Sequence, residues 1–534
     1  MTSGVEDTHP PPHTSTPRSD YFGGIHVEVP SEVLRRNEQL GDPVASPTTP
    51  SSGTTTVVAS PAISRKGSSL TLDELSQISS PTFPWVRRRA ACSFFVFFLC
   101  GWGDGVTGTV LPYFISSFHL SYMSSSTLFV ASTAGFALGL LVFERICSFF
   151  GSLGLPSNNN HSPTRGRYFT LLLFSVTHAC FFVLMGTSRS IVYLLLAYFV
   201  AAFSRVFLVG HTNAYIASIP RRPLGQLHAM WALGAFSAPF VCQTLLARGI
   251  HFQHFYLGSL VLSALNTTFI SFVFRPTLAE RSKEQDSVPT VEETEEKHVP
   301  NSPVDEKDVE ANELASVPVC EKGSGSMRKV SRGGRKFTLR IALSCGYLWA
   351  YAFFVWVYCG SETNTQGYIV TYLMGVRNAN PKTVGYVQSG FWGGMAISRF
   401  ITGFVTPRLS FTQLKYTLHG LLAVALAMNL LILFVRSVVE NAISAAVVGL
   451  VFGPMFPSAL VLASDILPEE IHVISLNLLC GFGNLGSSMF PFITGTLANI
   501  KGPRVIIYVT SCQVVVLLFS WFFFPSRVPQ SSRR

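Results

Sequence analysis

Charge is what this chain has least of. Only 13% of its 534 residues are Asp, Glu, Lys or Arg, where a soluble domain carries about a quarter. A soluble globule of this length could not cover its surface with so few charges, so that class is excluded. Hydrophobic residues make up 48%, and the 44 Phe gather in runs such as Phe94-Phe95 and Phe522-Phe523-Phe524. Such runs suit helices whose outward faces meet lipid. Paired cysteine spacing is also missing: none of the ten Cys falls in a C-x-x-C pattern, which argues against a disulfide framework or a zinc site and leaves small buried hydrophobes. No basic region precedes a short apolar stretch at the start, so there is no cleavable signal peptide and the first helix itself must direct insertion. Nor is there a Gly-Ser nucleophile elbow, a D-x-D pair or an H-E-x-x-H run; an enzyme is not indicated, and no metal or cofactor site is expected. The formal net charge of +10 is scattered over the ends of apolar runs, which reads as membrane topology and not as a nucleic-acid surface.

What is present is a series of apolar runs of roughly 20 residues, the length a helix needs to cross a hydrocarbon core about 30 Å thick. About six lie before the long polar interval Arg275 to Lys336 and about six after it. The expected fold class is an all-α membrane protein with twelve transmembrane helices. In the first half, spans are expected near 90–114, 125–149, 167–187, 190–216, 224–247 and 255–274. In the second half they are expected near 338–373, 384–405, 412–436, 440–464, 471–496 and 503–524. The organisation read from composition is a disordered cytosolic tail (1–82), a six-helix bundle (83–274), a disordered cytosolic linker (275–337), a second six-helix bundle (338–524) and a short cytosolic tail (525–534).

Arg87, Arg88 and Arg89 precede the first span and hold the N-terminus in the cytosol, and an even count returns the C-terminus there. Arg145, Arg165, Arg167, Arg221 and Arg222 fall on turns expected to be cytosolic, against Arg189 and Arg248 on the outside. The expected setting is the plasma membrane, crossed many times. The linker is acidic at Glu292, Glu293, Glu295, Glu296, Asp305 and Glu306 and basic at Arg328, Lys329, Arg332, Arg335 and Lys336, a membrane-proximal basic patch. Ser68 and Ser331 follow Arg-Lys pairs and are candidate phosphorylation sites. Asn160 matches a glycosylation acceptor but lies on a turn expected to face the cytosol, and is discounted.

The two halves echo each other. Gly234, Pro239, Phe240, Thr244 and Leu245 can be laid on Gly486, Pro491, Phe492, Thr496 and Leu497, and Gly135, Phe136 and Gly139 on Gly390, Phe391 and Gly394. With an even number of helices between copies, the halves are parallel repeats related by an axis along the membrane normal, each contributing six helices. Matched Gly and Pro allow the close helix approach and local breaks that rocking halves need. The stretches Asn213–Pro220, Leu227–Ala235, Gly367–Tyr372, Ser389–Gly394 and Gly453–Pro457 sharpen the likeness. From about Ala90 to Phe524 the chain resembles the fungal facilitators of the bypass-of-stop-codon type, a group similar to the fucose:proton symporter branch of the major facilitator superfamily. That resemblance implies the major facilitator fold and transport of a solute. The loop signature after the second helix of each half is degraded: Gly139 is followed by Glu144-Arg145 one place late, and Gly394 by Ser398-Arg399. Trp231-Ala232 stands where the group tends to have Tyr-Gly, and Val209 where it tends to have a polar residue.

Few polar residues lie inside the spans, and these are the candidate substrate-binding or proton-coupling residues. Asp104 lies roughly 14 residues into the first helix, about 21 Å from its cytosolic end at 1.5 Å per residue. A carboxylate at that depth is costly unless it faces a cavity or a partner, and such groups commonly carry protons. The competing reading is that it satisfies backbone groups freed by its flanking glycines. Arg205 in the fourth helix lies at comparable depth, and an Asp104–Arg205 ion pair would be either a switch or a fixed contact. Glu362, Asn364 and Gln366 stand in the seventh span, whose length suggests a break in its outer part that would expose groups suited to hydroxyl-rich solutes, unless they only cap a helix in water. His228 and Trp231 share a helical face, where they could meet a sugar ring or simply pack. Asn477 and Asn484 are seven apart in the eleventh helix. His178, His211 and His419 read as packing or interfacial residues. The function expected is secondary active transport of a small polar solute, a sugar or related molecule, with protons as candidate coupling ion and the lipid bilayer as the other partner. The alternative is a nutrient sensor that keeps the fold without transporting.

Overall fold

Several helices start where a serine can close the chain onto itself. Ser162, Ser410 and Ser437 each accept a hydrogen bond from a backbone N–H three residues on, and Gln413 completes a capping box with Ser410. Each bond satisfies one of the donors that a helix N-terminus leaves unpaired. Asn378 ends its helix in the left-handed region, φ 51°, a conformation that asparagine tolerates better than most side chains.

The computed structural model describes residues 84–152, 162–219, 224–277, 280, 341–468 and 471–527, all within one compact unit, Pro81–Arg534. The first half runs through α1 (Pro84–Gly105), α2 (Thr107–Ser117), α3 (Tyr122–Ser152), α4 (Pro163–Gly186), α5 (Ile191–Ser218), α6 (Leu224–Ala247) and α7 (Phe252–Val273). The second runs through α8 (Gly346–Arg377), α9 (Tyr386–Val405), α10 (Phe411–Phe434), α11 (Val438–Phe452), α12 (Met455–Ile466), α13 (His472–Lys501) and α14 (Val505–Phe522). The expected tail 1–82, Ser68, Ser331, Asn160, Arg221, Arg222 and nearly all of the expected linker lie outside the described residues.

Among the described residues, nine stretches are long and apolar enough to cross a membrane, and two of them join a broken pair: α1 with α2 (Trp85–Ser117) and α11 with α12 (Val438–Ile466). The protein is an all-helical membrane protein. The breaks are not where the sequence suggested. The seventh span is one continuous helix of 32 residues, Gly346–Arg377, interrupted only before its start at Cys345. Its polar stretch, Glu362 to Gln366, stays helical: Thr363 and Thr365 donate to carbonyls of the helix itself, and Glu362, Asn364 and Gln366 reach side chains of neighbouring helices. The chain breaks at Val106, among glycines, and at Gly453-Pro454, where a proline opens the next helix. Pro239 and Pro491 sit inside unbroken helices.

Small residues decide which helices touch. A Cβ on Gly234 of α6 would strike the backbone carbonyl of Phe98 in α1, and one on Gly486 of α13 would strike that of Trp356 in α8. Gly139 of α3 lies against α5 and Gly394 of α9 against α11. The halves meet along α6 with α9 and α3 with α13.

The two ends of the molecule are packed differently. At the end that holds the start of α1 and the close of α7, here the terminal end, the buried apolar cluster around Phe97, Phe174, Phe207 and Leu227 lies within the first half, while the cluster built mainly on the second half takes in Ala232 and Ala235 of α6. At the opposite, distal end a single cluster runs through both halves, joining Val110, Phe114 and Phe129 to Tyr368, Leu373 and Val387.

The residues after α7 are tied down. Arg89, almost fully buried in the first turns of α1, donates to the carbonyl oxygens of Val273 and Arg275 and forms a bidentate ion pair with Glu280. Arg275 to Thr277 and Glu280, assigned to the linker by composition, are therefore held against the first helix. Burial pushes the Glu280 carboxyl up, but the hydrogen bonds from Arg89 and from the Thr277 backbone outweigh it and leave the group below its usual range.

A carboxyl held below its unfolded value stabilises the fold above that range and stops doing so as pH falls through the lowered value. The melting temperature of the purified protein should therefore fall on acidification, and Glu280→Gln should flatten that slope; an unchanged slope would refute the assignment. Gly234→Ala and Gly486→Ala, which push a methyl into a facing backbone, should each cost about 1–3 kcal/mol in thermal unfolding.

Candidate functional site

The glycines of Gly101–Gly108, at the end of α1 and the start of α2, bring this span close to its neighbours. Gly101 lies against the carbonyl of Trp231 and Gly105 against the backbone of Ala235, both on α6. That approach fixes the depth and heading of Asp104 between them. Its carboxylate forms an ion pair with the guanidinium of Arg205, which projects from α5. The arginine side chain is 13% exposed and the aspartate 33%, so the pair is sheltered without being sealed. Arg205 also lies 5.9 Å from the ring centroid of Trp231 and within 3.5 Å of the Ser132 hydroxyl of α3. Guanidinium over an indole face is attracted to the ring quadrupole, so Trp231 holds the cation in place. The ring is engaged with protein, and Phe97 packs edge-on to both Trp231 and His228. His228 itself is exposed, one turn into α6.

In the second half Glu362 of α8 lies 3.6 Å from Arg399 of α9. Sequence reasoning placed Glu362 among the candidates and passed over Arg399, treating it as the remnant of a loop motif. The signal was available: a cation inside the apolar run 384–405, as isolated as Arg205 is in its own helix. Gln366 accepts a hydrogen bond from Gln388, which also donates to the carbonyl of Gly105 in the first half.

Asn364 does not join this group. It is fully buried and donates to Gln513 of α14 at 2.8 Å. One helical position advances a side chain by about 100°, so Glu362 and Asn364 point to different neighbours. Asn484 uses its amide on the Cys480 carbonyl of its own helix, while its backbone carbonyl accepts from Thr133 of α3. Asn477 is exposed in the terminal part of α13. His178 is buried beside Phe181 and Phe182, His211 contacts Cys147 and Phe143, and His419 faces Phe522.

The distal end is closed by hydrogen bonds that carry no ionic charge. Gln243 and Tyr113 both donate to the carbonyl of Pro381, Thr109 donates to that of Gly385, and the hydroxyls of Thr244 and Tyr386 meet at 3.0 Å. Gln243 and Gln388 are fully buried, and each leaves its side-chain oxygen without a partner. At the terminal end α6 and α9 approach through Gly225 and Gly403, which bring no side chains to the contact.

A family model described as Major Facilitator Superfamily matches residues 93–475 and 365–534. The chain belongs to the Major Facilitator Superfamily. This facilitator is 23% identical over 458 residues to Bypass of stop codon protein 6 of Saccharomyces cerevisiae, a match covering 83% of this chain and 84% of that protein. It is 25% identical over 150 residues to the glucose/mannose transporter GlcP of Bacillus subtilis, covering 28% of this chain and 36% of that one. Among solved structures, the nucleoside transporter NupG superposes with a TM-score of 0.57 at 13% identity, covering 83% of this chain and all of that one; the likeness is one of fold. The protein is a multi-pass membrane transporter of a small molecule and not an enzyme.

Removing either member of the Asp104–Arg205 pair strands the other charge within the membrane span. Asp104→Ala and Arg205→Ala should each cost about 2–4 kcal/mol, allowing for the partial exposure of Asp104, and lower the amount of folded protein at the membrane. The exchanged variant Asp104→Arg with Arg205→Asp should recover it; failure of the double exchange would show that the two do not act as a pair.

Proposed function

We propose that this facilitator is a secondary active transporter that carries a small polar solute of the sugar kind, coupled to protons, by alternating access. The observation that carries the reading is the sheltered, incompletely sealed Asp104–Arg205 pair inside the span. A carboxylate–guanidinium pair at that depth is costly to keep, and its partial exposure leaves the carboxylate open to a proton or a hydroxylated solute. Neutralising Asp104 would free Arg205, so protonation and rearrangement are naturally linked.

The arrangement supports twelve spans in two parallel sets of six. To the nine apolar stretches this reading adds α8, α9 and α13, helices of 32, 20 and 30 residues that carry most of the second half's polar candidates. The distal cluster shared by both halves and the distal hydrogen bonds between them support a transporter closed on that side. With both termini cytosolic in the plasma membrane, the open side is the inward one. The curated relative named as a glucose/mannose transporter and the fold relative named as a nucleoside transporter both handle hydroxyl-rich molecules by their names. Asp104, Arg205, Glu362 and Gln366 supply the matching donors and acceptors.

Proteoliposomes holding the purified protein would be loaded at one pH and offered labelled glucose, mannose and uridine at two external pH values. Accumulation should increase with an inward proton gradient, and Asp104→Asn should abolish that dependence. Full proton-dependent uptake by Asp104→Asn would end the coupling role, and binding without accumulation would favour a sensor.

A further inference from the structure

The sequence shows few common letters between the first and seventh spans near their carboxylates, Thr107 with Thr365 being one at the same offset, yet the packing equates them. In the first half Phe98 and Gly101 of α1 meet Gly234 and Trp231 of α6; in the second, Trp356 and Cys359 of α8 meet Gly486 and Gly483 of α13. The partners on α1 and α8 are offset by the same amount (98 to 356 and 101 to 359), as are those on α6 and α13 (234 to 486 and 231 to 483). That offset carries Asp104 onto Glu362. It also carries Gly108 onto Gln366, and these two touch: a Cβ on Gly108 would strike the Gln366 backbone carbonyl and the Gln388 side chain.

The two carboxylates therefore stand at matching places on facing helices, each four residues, about 6 Å, on the terminal side of a single crossing. Both have a guanidinium, but from helices that do not correspond: α5 for Arg205 and α9 for Arg399. Duplication alone would not produce that, since the cation has been supplied separately in each half. Both pairs keep some exposure, with Glu362 at 17% and Arg399 at 14%. Tyr358, one turn before Glu362 on α8, donates its hydroxyl to the carbonyl of Phe452 at 2.8 Å and leaves the carboxylate to Arg399.

Resting on the transport reading above, we propose that Glu362 and Arg399 form a second solute-binding position, and that the carried molecule is a neutral polyhydroxylated solute held between this pair and Asp104–Arg205. Adjacent hydroxyls donate to a carboxylate and accept from a guanidinium at once, which is the donor and acceptor set each pair presents. Each pair is neutral overall, so a carboxylate-bearing solute gains from the arginine what it loses to the acid. Arg399 sets specificity, because it is the member of this pair that donates to the solute.

The test uses purified full-length protein in proteoliposomes with labelled glucose, mannose and uridine, and unlabelled glucuronate as competitor. Glu362→Gln and Arg399→Gln should raise KM for the accumulated probe about tenfold, the worth of one charge-assisted hydrogen bond. Arg399→Lys, which keeps the charge and loses the fork, should keep the wild-type melting temperature and still raise KM. Deoxy analogues supply the readout that a merely structural pair would not move: at one hydroxyl, loss of the oxygen should weaken uptake by the wild type and leave Arg399→Gln no weaker than it already is. Wild-type KM in both neutral variants, or equal deoxy penalties in wild type and Arg399→Gln, would overturn the second position. Glucuronate competing as well as glucose would overturn the neutral class. If the wild type accumulates none of the three probes, the transport reading fails with the proposal; if it accumulates one and the variants match it, only the second position fails.

Discussion

An ionised side chain inside a membrane has to find its counter-charge within the protein, because lipid offers none. This chain keeps very few such groups within its spans and pairs the central ones across helices. Asp104 meets Arg205 and Glu362 meets Arg399, each pair joining two helices of one half. The glycine-lined crossings of α1 with α6 and α8 with α13 follow from the same need. Backbones must come close for a short aspartate to reach a partner on a third helix, and only residues without bulk allow it. The continuous course of α8 makes the same point, since its polar residues Glu362, Asn364 and Gln366 are met by Arg399, by Gln513 and by Gln388.

Much of the architecture was legible in the sequence because bilayer thickness fixes helix length and scarcity of charge marks the spans. Boundaries expected near 224–247 and 384–405 fall within two residues of α6 and α9. The placing of the break was not legible. Length alone suggested an interruption in the seventh span, but a helix that leans across a bundle can be long without breaking. The true breaks occur where glycine or proline weakens the ladder, at Val106 and at Gly453-Pro454.

Single residues were readable when their cost was high and their partner was also costly. Asp104 and Arg205 stand out as lone charges in apolar runs, and the structure brings them together. Asn364 was grouped with Glu362 by proximity in sequence, although a two-residue step on a helix turns a side chain most of the way to the opposite face. Arg399 is harder to read, because Ser398-Arg399 falls where the degraded loop pattern places a basic residue. The correspondence of Asp104 with Glu362 is faint in the letters, where few residues besides Thr107 and Thr365 coincide, and is carried by which positions of the facing helices touch.

The latch at Arg89 bears on how the two halves are joined. Because Glu280 and the carbonyl of Arg275 are both fastened to the first turns of α1, tension in the segment connecting the halves is not delivered to the end of α7. It arrives on the helix that carries Asp104, roughly four turns below that carboxylate. The connecting segment thus has a mechanical lever on the very helix that bears the central acid.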